Sequence, residues 1–303
     1  MPYKSVCAGK RSVSGGIAVK TEKYAVALGM FDGVHIGHKA VLNGAVSDTL
    51  KSVAVTFSSI PFKSGGSLMT ADEKKEKLLL CGVDEVCFMD FFAVKDLSPE
   101  EFLNELNVRY PLGKICCGYN YRFGKNAVGD TAFLKEWCAK RNIAFFECPE
   151  VKYEGHTVSS TYIRHLISEG DVVTAAKLLE EPFSFSAEIV NGDKRGRVLG
   201  FPTANQIYPT TAVIPKNGVY RTLVSVDGIN YNGVTNIGVR PTYLTDYISA
   251  ETYIIGYSGD CYGKSVKIQL MEYIRTERKF SSEKELVTAI RHDVDYVKNK
   301  SGL

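Results

Sequence analysis

The sequence predicts an α/β protein of two domains, in which a doubly wound, Rossmann-like parallel sheet precedes a small antiparallel β-barrel with a terminal helix. Three observations support this fold class. Apolar runs of strand length alternate with helical segments in the first part of the chain. Glu181-Pro182 then interrupts the pattern, and short strands with one final helix follow. We therefore expect domains at residues 1–182 and 183–303.

The first domain contains five apolar runs that are predicted to be buried parallel strands: Tyr24–Leu28, Val53–Phe57, Val83–Met89, Lys114–Gly118 and Ala144–Cys148. Capping boxes at Thr70 and Ser98 predict two of the intervening helices, and Asp130–Arg141 is predicted as a third. Ser160 is expected to cap a helix that starts at Thr161 and ends at Gly170, with a short helix following at Asp171–Glu180. Ligands of such sheets bind beyond the carboxyl ends of the strands.

The second domain is predicted to contain short antiparallel strands: Phe185–Val190, Gly218–Val226, Ile229–Asn236, Ser249–Tyr257 and Ser265–Tyr273. Asp227-Gly228 between two of them is a strong hairpin signal. Ser282 and Glu285 form a capping-box pattern for a last helix, which carries one apolar stripe for packing on the strands. Five or six strands with one helix favour a small closed barrel.

Composition and charge exclude several classes of protein. The net charge of +3 suits an enzyme of anionic nucleotides but does not indicate a nucleic-acid groove. No run of about 18 apolar residues predicts a membrane span, and the N-terminus has no long apolar core of a signal peptide. The eight cysteines are scattered without zinc spacing. We therefore expect reduced thiols, a cytoplasmic location, and neither nucleic-acid nor membrane partners.

The most informative stretch is YAVALGMFDGVHIGHKAVL, which runs from residue 24 to residue 42. It predicts a buried strand, a glycine-containing loop and a helix that begins near Gly37 and His38. Glycines let the backbone approach a ligand closely, and a helix start offers free N–H groups to phosphate. His35 and His38 flank Gly37 and can both donate to the same anion. HxGH in this setting is typical of nucleotidyltransferases, although a lone HxGH also arises by chance.

The longer string GMFDGVHIGH resembles the N-terminal adenylyltransferase module of the bacterial bifunctional riboflavin kinase/FAD synthetases. This resemblance implies that the first domain joins FMN to the AMP part of ATP and releases pyrophosphate. It implies catalytic roles for His35 and His38. It also implies that the loop contacts ATP phosphates through a set of neighbouring positions, namely Gly29, Phe31, Asp32, Gly33 and Gly37.

Two further segments match motifs of this family. GYNYRFGK, from residue 118, is similar to the G-x-[DN]-F-x-F-G-x motif, which implies flavin contacts for Asn120 and Arg122; a surface turn is the alternative. VSSTYIR, from residue 158, matches ISSTxIR, which implies that Ser159, Ser160 and Arg164 close over ATP phosphates. An arginine there can neutralise the charge that develops on departing pyrophosphate.

One segment departs from the family pattern. The family usually has a D-P-H-P-like string after its second strand, whereas this chain has Phe57-Ser-Ser-Ile-Pro61. The charged group and the imidazole are missing, which puts the efficiency of the adenylyl step in doubt more than its existence.

The basic glycine loop of the second domain leads into RGRVLGFPTAN, which resembles the hallmark sequence of riboflavin kinases. The resemblance implies that Thr203 binds Mg²⁺ and that Asn205 helps to hold the metal and the phosphates; Mg²⁺ prefers oxygen ligands. Backbone amides near the loop glycines can wrap phosphate. The remaining candidates for phosphate binding are Gly192, Lys194, Gly196, Arg197, Gly200 and Pro202, and a solvated charged loop is an equally good reading of each basic residue alone.

Residues 234–242, VTNIGVRPT, match the family's GVxNIGxRPT, which implies that Asn236 shapes the flavin side of the pocket and that Arg240 is structural. Arg275 lies in another matching string and is also expected to contact flavin. Glu251 corresponds to the family's base, which takes the proton from the ribityl 5′-hydroxyl. Tyr253 replaces the usual histidine and points to the same face as Glu251.

The sequence as a whole therefore predicts a bifunctional enzyme that uses riboflavin, FMN and ATP with Mg²⁺. The second domain would make FMN from riboflavin, and the first would make FAD from FMN. Two alternatives remain at this stage. Only one of the two activities could be efficient, or the chain could be a non-enzymatic flavin or nucleotide sensor that acts as a regulator.

Overall fold

Five parallel strands form the sheet of the first domain in the computed structural model, which describes residues 22–47, 49–58, 65–192, 195–240 and 247–302. The strands are β1 (Tyr24–Leu28), β2 (Lys51–Phe57), β3 (Glu85–Met89), β4 (Leu112–Gly118) and β5 (Ala144–Cys148). Their order is β3-β2-β1-β4-β5, and every neighbouring pair is parallel. The doubly wound prediction is confirmed, and the chain reverses its direction of winding beside β1, where such sheets bind ligands.

Seven helices connect or follow these strands among the described residues: α1 (Ile36–Ala45), α2 (Ala71–Leu80), α3 (Phe91–Val94), α4 (Pro99–Arg109), α5 (Thr131–Ala139), α6 (Ser160–Glu169) and α7 (Val172–Leu179). The predicted capping boxes at Thr70 and Ser98 are confirmed. Each N-cap side chain accepts from the N–H of the third helical residue, and the glutamate at that residue accepts from the backbone N–H of the N-cap. The short helix α3, capped by Asp90, was not predicted from the sequence.

The start of α6 differs from the prediction. Ser159, rather than Ser160, is the N-cap residue, and its hydroxyl accepts from the N–H of Tyr162 at 3.1 Å. The Ser160 hydroxyl donates instead to the carbonyl of Asp32 at 2.9 Å, and so ties α6 to the loop after β1. Gly170 ends the helix in the left-handed conformation, as predicted. A small ribbon that the sequence did not reveal precedes this helix, made of β6 (Lys152–Tyr153) and β7 (His156–Thr157).

Six antiparallel strands close the predicted barrel in the order β10-β11-β12-β9-β8-β13. They are β8 (Ser184–Val190), β9 (Thr203–Ile207), β10 (Gly218–Val226), β11 (Ile229–Arg240), β12 (Tyr247–Ile254) and β13 (Ser265–Arg275). The hairpin between β10 and β11 is confirmed, with positive φ at both Asp227 and Gly228. Two details were missed: β9 was not among the individually predicted strands, and helix α8 (Arg195–Val198) lies within the basic loop.

Helix α9 (Glu283–Ser301) packs against the barrel through the predicted stripe, with Val294 and Val297 in a cluster with Val219 and Val234. The other cores lie on both faces of the parallel sheet and inside the barrel. The barrel core continues into α6 and α7, where Ile163 and Leu178 are fully buried. The predicted boundary at residue 182 falls between the end of α7 and the start of β8. Because the two parts share one apolar core, the domain limits stay a prediction.

The described cysteines are free thiols. Burial raises the pKa of Cys116 and that of Cys117 to about 12, so both thiols are protonated and inert at neutral pH. None of the helices within the described ranges has the length and apolar character that crossing a bilayer requires.

Candidate active sites

A cavity of about 330 Å³ at one end of the barrel, hereafter the barrel cavity, brings together the predicted residues Thr203, Asn205, Asn236, Glu251 and Arg275. Strand register explains this convergence. Glu251 of β12 lies opposite Asn205 of β9 on one side and opposite Asn236 of β11 on the other. Cross-strand partners have neighbouring side chains on one face, so the carboxylate lies between two amides.

Gly192 and Gly196 lie close to the predicted metal-binding segment, and of the two only Gly196 lines the barrel cavity. A Cβ atom at Gly192 would lie 2.5 Å from Nδ2 of Asn205, and one at Gly196 would lie 2.3 Å from the carbonyl oxygen of Phe201. Only glycine allows backbone and side chain to approach so closely. The amide of Asn205 donates to the carbonyl of Thr203 at 3.2 Å, which fixes the two predicted metal-binding residues relative to each other.

Several predicted phosphate-binding residues lie elsewhere. The guanidinium of Arg197 lies over the Tyr262 ring, 5.8 Å from its centroid, and Arg197 does not line the barrel cavity. Pro202 precedes β9 at an exposed position outside the lining, and Gly200 supports the turn through its positive φ of 83°. Lys194 lies outside the described residues.

Two arginines of the barrel cavity are engaged by carboxylates. Arg240 donates from Nε to Oε1 of Glu251 at 3.1 Å and forms an ion pair with it, so this arginine holds the predicted base. Arg275, predicted to contact flavin, makes bonds of 3.0 and 2.7 Å to Asp293, which is 2% exposed. These ion pairs were not predicted, because the partners are distant in sequence. The only signal was the position of Arg240 within the NIGVRPT string.

The start of α1 carries the predicted histidine pair. His35 is the N-cap residue, and its Nδ1 accepts from the N–H of His38 at 3.3 Å, while the two rings stack with centroids 3.6 Å apart. The sequence predicted a start near Gly37, but the helix begins at Ile36. Burial, followed by the charges of Lys77 and Arg164, lowers the pKa of His35 to about 4. His35 is therefore neutral at pH 7, with Nε2 as its donor.

The glycine-containing loop before α1 is held by its own packing. Phe31, predicted to contact ATP, is fully buried and packs edge-on against His38 at 5.3 Å, so it supports the histidine pair from the core. A Cβ atom at Gly29 would lie 2.8 Å from the Phe31 ring, and Gly33 has a φ of 89°. A Cβ atom at Gly37 would lie 3.2 Å from the ring of His35. Glycine is therefore needed to bring the loop close to these rings.

Asp32 and Arg164 form a buried ion pair, with exposed fractions of 5% and 8%. They line a cavity of about 840 Å³ between the sheet and the barrel, hereafter the junction cavity. Oδ1 of Asp32 also accepts from the N–H of Leu68 at 2.9 Å, and Nε of Arg164 donates to the carbonyl of Gly66 at 2.7 Å. The structure thus places both predicted residues side by side, fixed by backbone contacts as well as by each other.

A third cavity of about 410 Å³, hereafter the edge cavity, opens at the carboxyl ends of β1, β2 and β3 and is mostly apolar. Arg122 lines it and pairs with Asp130 at 3.2 Å. Asn120, in contrast, lies exposed in the turn after β4 and is not part of the lining. Lys74 was not predicted: it is 3% exposed and donates to the carbonyls of Met30 at 3.1 Å and Phe57 at 2.9 Å, which joins the loop after β1 to the end of β2.

Comparisons with known proteins agree with this architecture. A family model described as FAD synthetase matches residues 18–162, and one described as riboflavin kinase matches residues 179–301. The bifunctional riboflavin kinase/FMN adenylyltransferase of Bacillus subtilis (strain 168) is 31% identical over 89% of this chain and 90% of its own length. The protein of the same description from Escherichia coli (strain K12) is 32% identical over 88% of this chain and 89% of its own length.

A solved structure is also similar over nearly the whole chain. It is described as a macrolide-efflux protein from Streptococcus pneumoniae, with a TM-score of 0.83 and 28% identity over 93% of this chain and 96% of that one. The extent of this match supports the two-part fold of the chain. Because curated relatives above 30% identity cover nearly nine tenths of the chain, it belongs to the bifunctional riboflavin kinase/FMN adenylyltransferase family.

Proposed function

We propose that the barrel phosphorylates riboflavin with ATP to FMN and that the Rossmann-like domain adenylylates FMN with a second ATP to FAD and pyrophosphate. The observation that carries this proposal is the presence of separate candidate sites in a chain of this family. One is the row of Asn205, Glu251 and Asn236 in the barrel cavity, and the other is the histidine pair at the start of α1.

For FMN formation, Glu251 accepts the proton of the ribityl 5′-hydroxyl as the hydroxyl oxygen attacks the γ-phosphorus of ATP, and ADP leaves. Arg240 orients the carboxylate through its hydrogen bond to Oε1. Gly192 packs directly against the Asn205 side chain, and Gly196 packs against the carbonyl of Phe201, so both glycines keep the loop close to the predicted metal-binding residues. Much of the catalysis is therefore expected to come from positioning.

The residues of the barrel cavity fit a magnesium ion. Thr203 offers a hydroxyl oxygen and Asn205 an amide oxygen, and Mg²⁺ commonly combines few protein ligands with phosphate oxygens and water. Within the described ranges, no cluster of three His, Cys, Asp or Glu side chains competes as a metal site. We propose that Thr203 and Asn205 hold the ion, which supplies neutralisation of phosphate charge when it is bound with ATP.

For FAD formation, an oxygen of the FMN phosphate attacks the α-phosphorus of ATP directly, and pyrophosphate leaves. The amide groups at the start of α1 bind phosphate, and Nε2 of His35 together with His38 adds donors there. Arg164 neutralises the departing pyrophosphate. The apolar edge cavity suits the flavin ring, with Arg122 at its wall.

We further propose a cytoplasmic location without nucleic-acid or membrane partners. The net charge of +3 gives no large basic field, and the described cysteines are free thiols, which suits a reducing compartment.

Incubation with riboflavin, ATP and Mg²⁺, followed by chromatography of the flavins, tests this proposal. We expect FMN to accumulate first and FAD to follow. A second incubation with FMN and ATP isolates the adenylyl step. Formation of FMN without FAD from either substrate would favour a single efficient activity. The altered string at residues 58–61 is the reason to consider this alternative, and residues 59–61 lie outside the described ranges. No turnover at all would favour the sensor.

A further inference from the structure

A connection of the barrel joins the loop beside Arg164 by backbone hydrogen bonds. Residues 211–213, which lie between β9 and β10, are hereafter the docking segment. The N–H of Ser67 donates to the carbonyl of Thr211 at 2.8 Å, and the N–H of Val213 donates to the carbonyl of Ser67 at 3.0 Å. Ser67 and Ala212 thus pair as in a parallel sheet. A piece of the barrel therefore extends along residues 66–68 of the first domain.

The two residues that flank Ser67 contact the buried ion pair on the other side. Gly66 accepts from Nε of Arg164 at 2.7 Å, and Leu68 donates to Oδ1 of Asp32 at 2.9 Å. Residues 66–68 therefore lie between the docking segment and the two side chains that were predicted to bind phosphate. The barrel also reaches α6 directly, since the N–H of Lys216 donates to the carbonyl of Ile167 at 3.2 Å, one turn after Arg164.

We propose that the docking segment positions Arg164 and Asp32 for adenylyl transfer, so that the site of FAD formation is complete only with residues of the barrel. This inference rests on the proposed function of the first domain. Its physical basis is that the segment at residues 65–68 has little rigidity of its own. Gly65 and Gly66 both have positive φ, 91° and 73°, and glycine loses more conformational freedom on ordering than any other residue. External hydrogen bonds are therefore needed to fix the carbonyl that Arg164 uses.

The two adjacent glycines provide a matched pair of variants. A Cβ atom at Gly66 would lie 2.5 Å from the carbonyl group of Ala212 and from the N–H nitrogen of Val213, so alanine there must push the docking segment away. Among the residues that the structure describes, a Cβ atom at Gly65 would meet Cδ of Arg164 alone, at an ordinary 3.4 Å. Both alanines have the same kind of backbone cost from positive φ. The difference between the two variants therefore reports the docking contact.

A second variant changes the docking segment from the barrel side. Tyr208 is 3% exposed, and its hydroxyl donates to the carbonyl of Val213 at 2.6 Å. Tyr208→Phe removes this bond without touching any residue of the first domain, and leaves a buried carbonyl without that donor. Tyr257→Phe is the control, because its hydroxyl bonds the carbonyl of Asp260 in the connection between β12 and β13.

The experiment measures kcat and KM for FMN formation from riboflavin and for FAD formation from FMN in the full chain, together with the melting temperature. We expect Gly66→Ala to lower kcat of FAD formation about 10- to 100-fold relative to Gly65→Ala, as a misplacement near 1 Å does. FMN formation should stay within about twofold of the wild type. Tyr208→Phe should lower FAD formation about 3- to 10-fold relative to Tyr257→Phe.

Equal FAD formation by Gly66→Ala and Gly65→Ala would overturn the inference. So would a parallel loss of both activities with a lower melting temperature, because that result means general destabilisation. If Gly66→Ala does not fold, the comparison of Tyr208→Phe with Tyr257→Phe is the test. Equal rates of FAD formation by these two variants would reject the positioning role of the docking segment. If the wild type itself forms no FAD from FMN and ATP, the proposed function of the first domain is rejected, independently of the role of the docking segment.

Discussion

The two candidate sites differ in what holds their side chains in place. In the barrel, Asn205, Glu251 and Asn236 are cross-strand neighbours, so strand register sets their spacing. In the Rossmann-like domain, Asp32 and Arg164 come from a loop and a helix start, and they meet through hydrogen bonds. A sheet ladder distributes a disturbance over many bonds, whereas a loop site depends on a few. We therefore expect FMN formation to tolerate changes outside its site better than FAD formation does.

The largest effect is expected for Glu251→Gln. The amide keeps the size of the side chain but cannot accept the ribityl proton, and loss of a general base costs about 10²- to 10⁴-fold in kcat. FMN formation should fall by that factor while FAD formation from FMN stays near the wild type. The assay is flavin chromatography with each substrate in turn. Glu188→Gln, on an exposed position of β8, is the matched control. A loss of both activities by a folded Glu251→Gln would contradict separate sites.

His38→Ala provides the converse test. The variant removes a donor at the start of α1 and the ring that stacks on His35, so FAD formation should fall about 10²- to 10³-fold. FMN formation should be nearly unchanged. His156→Ala, which removes an exposed imidazole of the same domain, should retain both activities. Equal FAD formation by the two histidine variants would remove the histidine pair from the mechanism.

Asp32→Asn tests whether the loop site depends on its buried ion pair. Removing the charge of one partner leaves the Arg164 guanidinium buried without its counterion, which typically costs about 3–5 kcal/mol of stability. We expect a lower melting temperature and weaker FAD formation. Glu180→Gln breaks the surface pair with Lys39, and a pair of that kind contributes at most about 1 kcal/mol. Similar melting temperatures for the two variants would show that the buried pair adds nothing.

The smallest effect concerns pH and His35. In the unfolded chain the pKa of this residue is about 6.5, whereas burial lowers it to about 4 in the folded protein. Stability should therefore be complete above pH 6.5 and fall by up to roughly 3 kcal/mol as the pH drops toward 4. His35→Asn keeps a good N-cap acceptor and removes the titration.

Denaturant unfolding between pH 7 and pH 4.5 should therefore show a shallower loss of stability for His35→Asn than for the wild type. Parallel curves would mean that His35 keeps an ordinary pKa in the folded protein. Because His35 is already neutral at pH 7, its own titration should not appear in the rate of FAD formation between pH 6 and pH 8.

Periodicity and capping patterns predicted most of the secondary structure because those signals are local. The boundaries of β1 and β5 and the two capping boxes are examples. Strand β9 was missed because its start follows a glycine–proline turn and its residues are largely polar, so its pairing with β12 and β8 decides its conformation. In the sequence, Ser159 and Ser160 are equally good candidates for the N-cap of α6. The fold distinguishes them, because the Ser160 hydroxyl bonds the carbonyl of Asp32 and Ser159 caps the helix.

The candidate site residues were predictable as far as the motifs extend. A cap is one ordinary role for a histidine near a helix start, but the sequence did not show that His35 rather than His38 takes it, because histidine is not among the preferred capping residues. The ion pairs of Arg164 with Asp32 and of Arg275 with Asp293 were also hidden, because the pairing of distant residues needs the fold. The docking segment belongs to the same class, as it depends on how the barrel sits on the first domain.

The most direct test of two separate sites in one chain is a mixing experiment. Glu251→Gln and His38→Ala are each incubated with riboflavin, ATP and Mg²⁺, alone and together, and the flavins are separated by chromatography. We predict that the first variant alone leaves riboflavin unchanged, that the second stops at FMN, and that the mixture produces FAD. Absence of FAD from the mixture, although each variant retains its remaining activity, would contradict the presence of two separate sites in one chain.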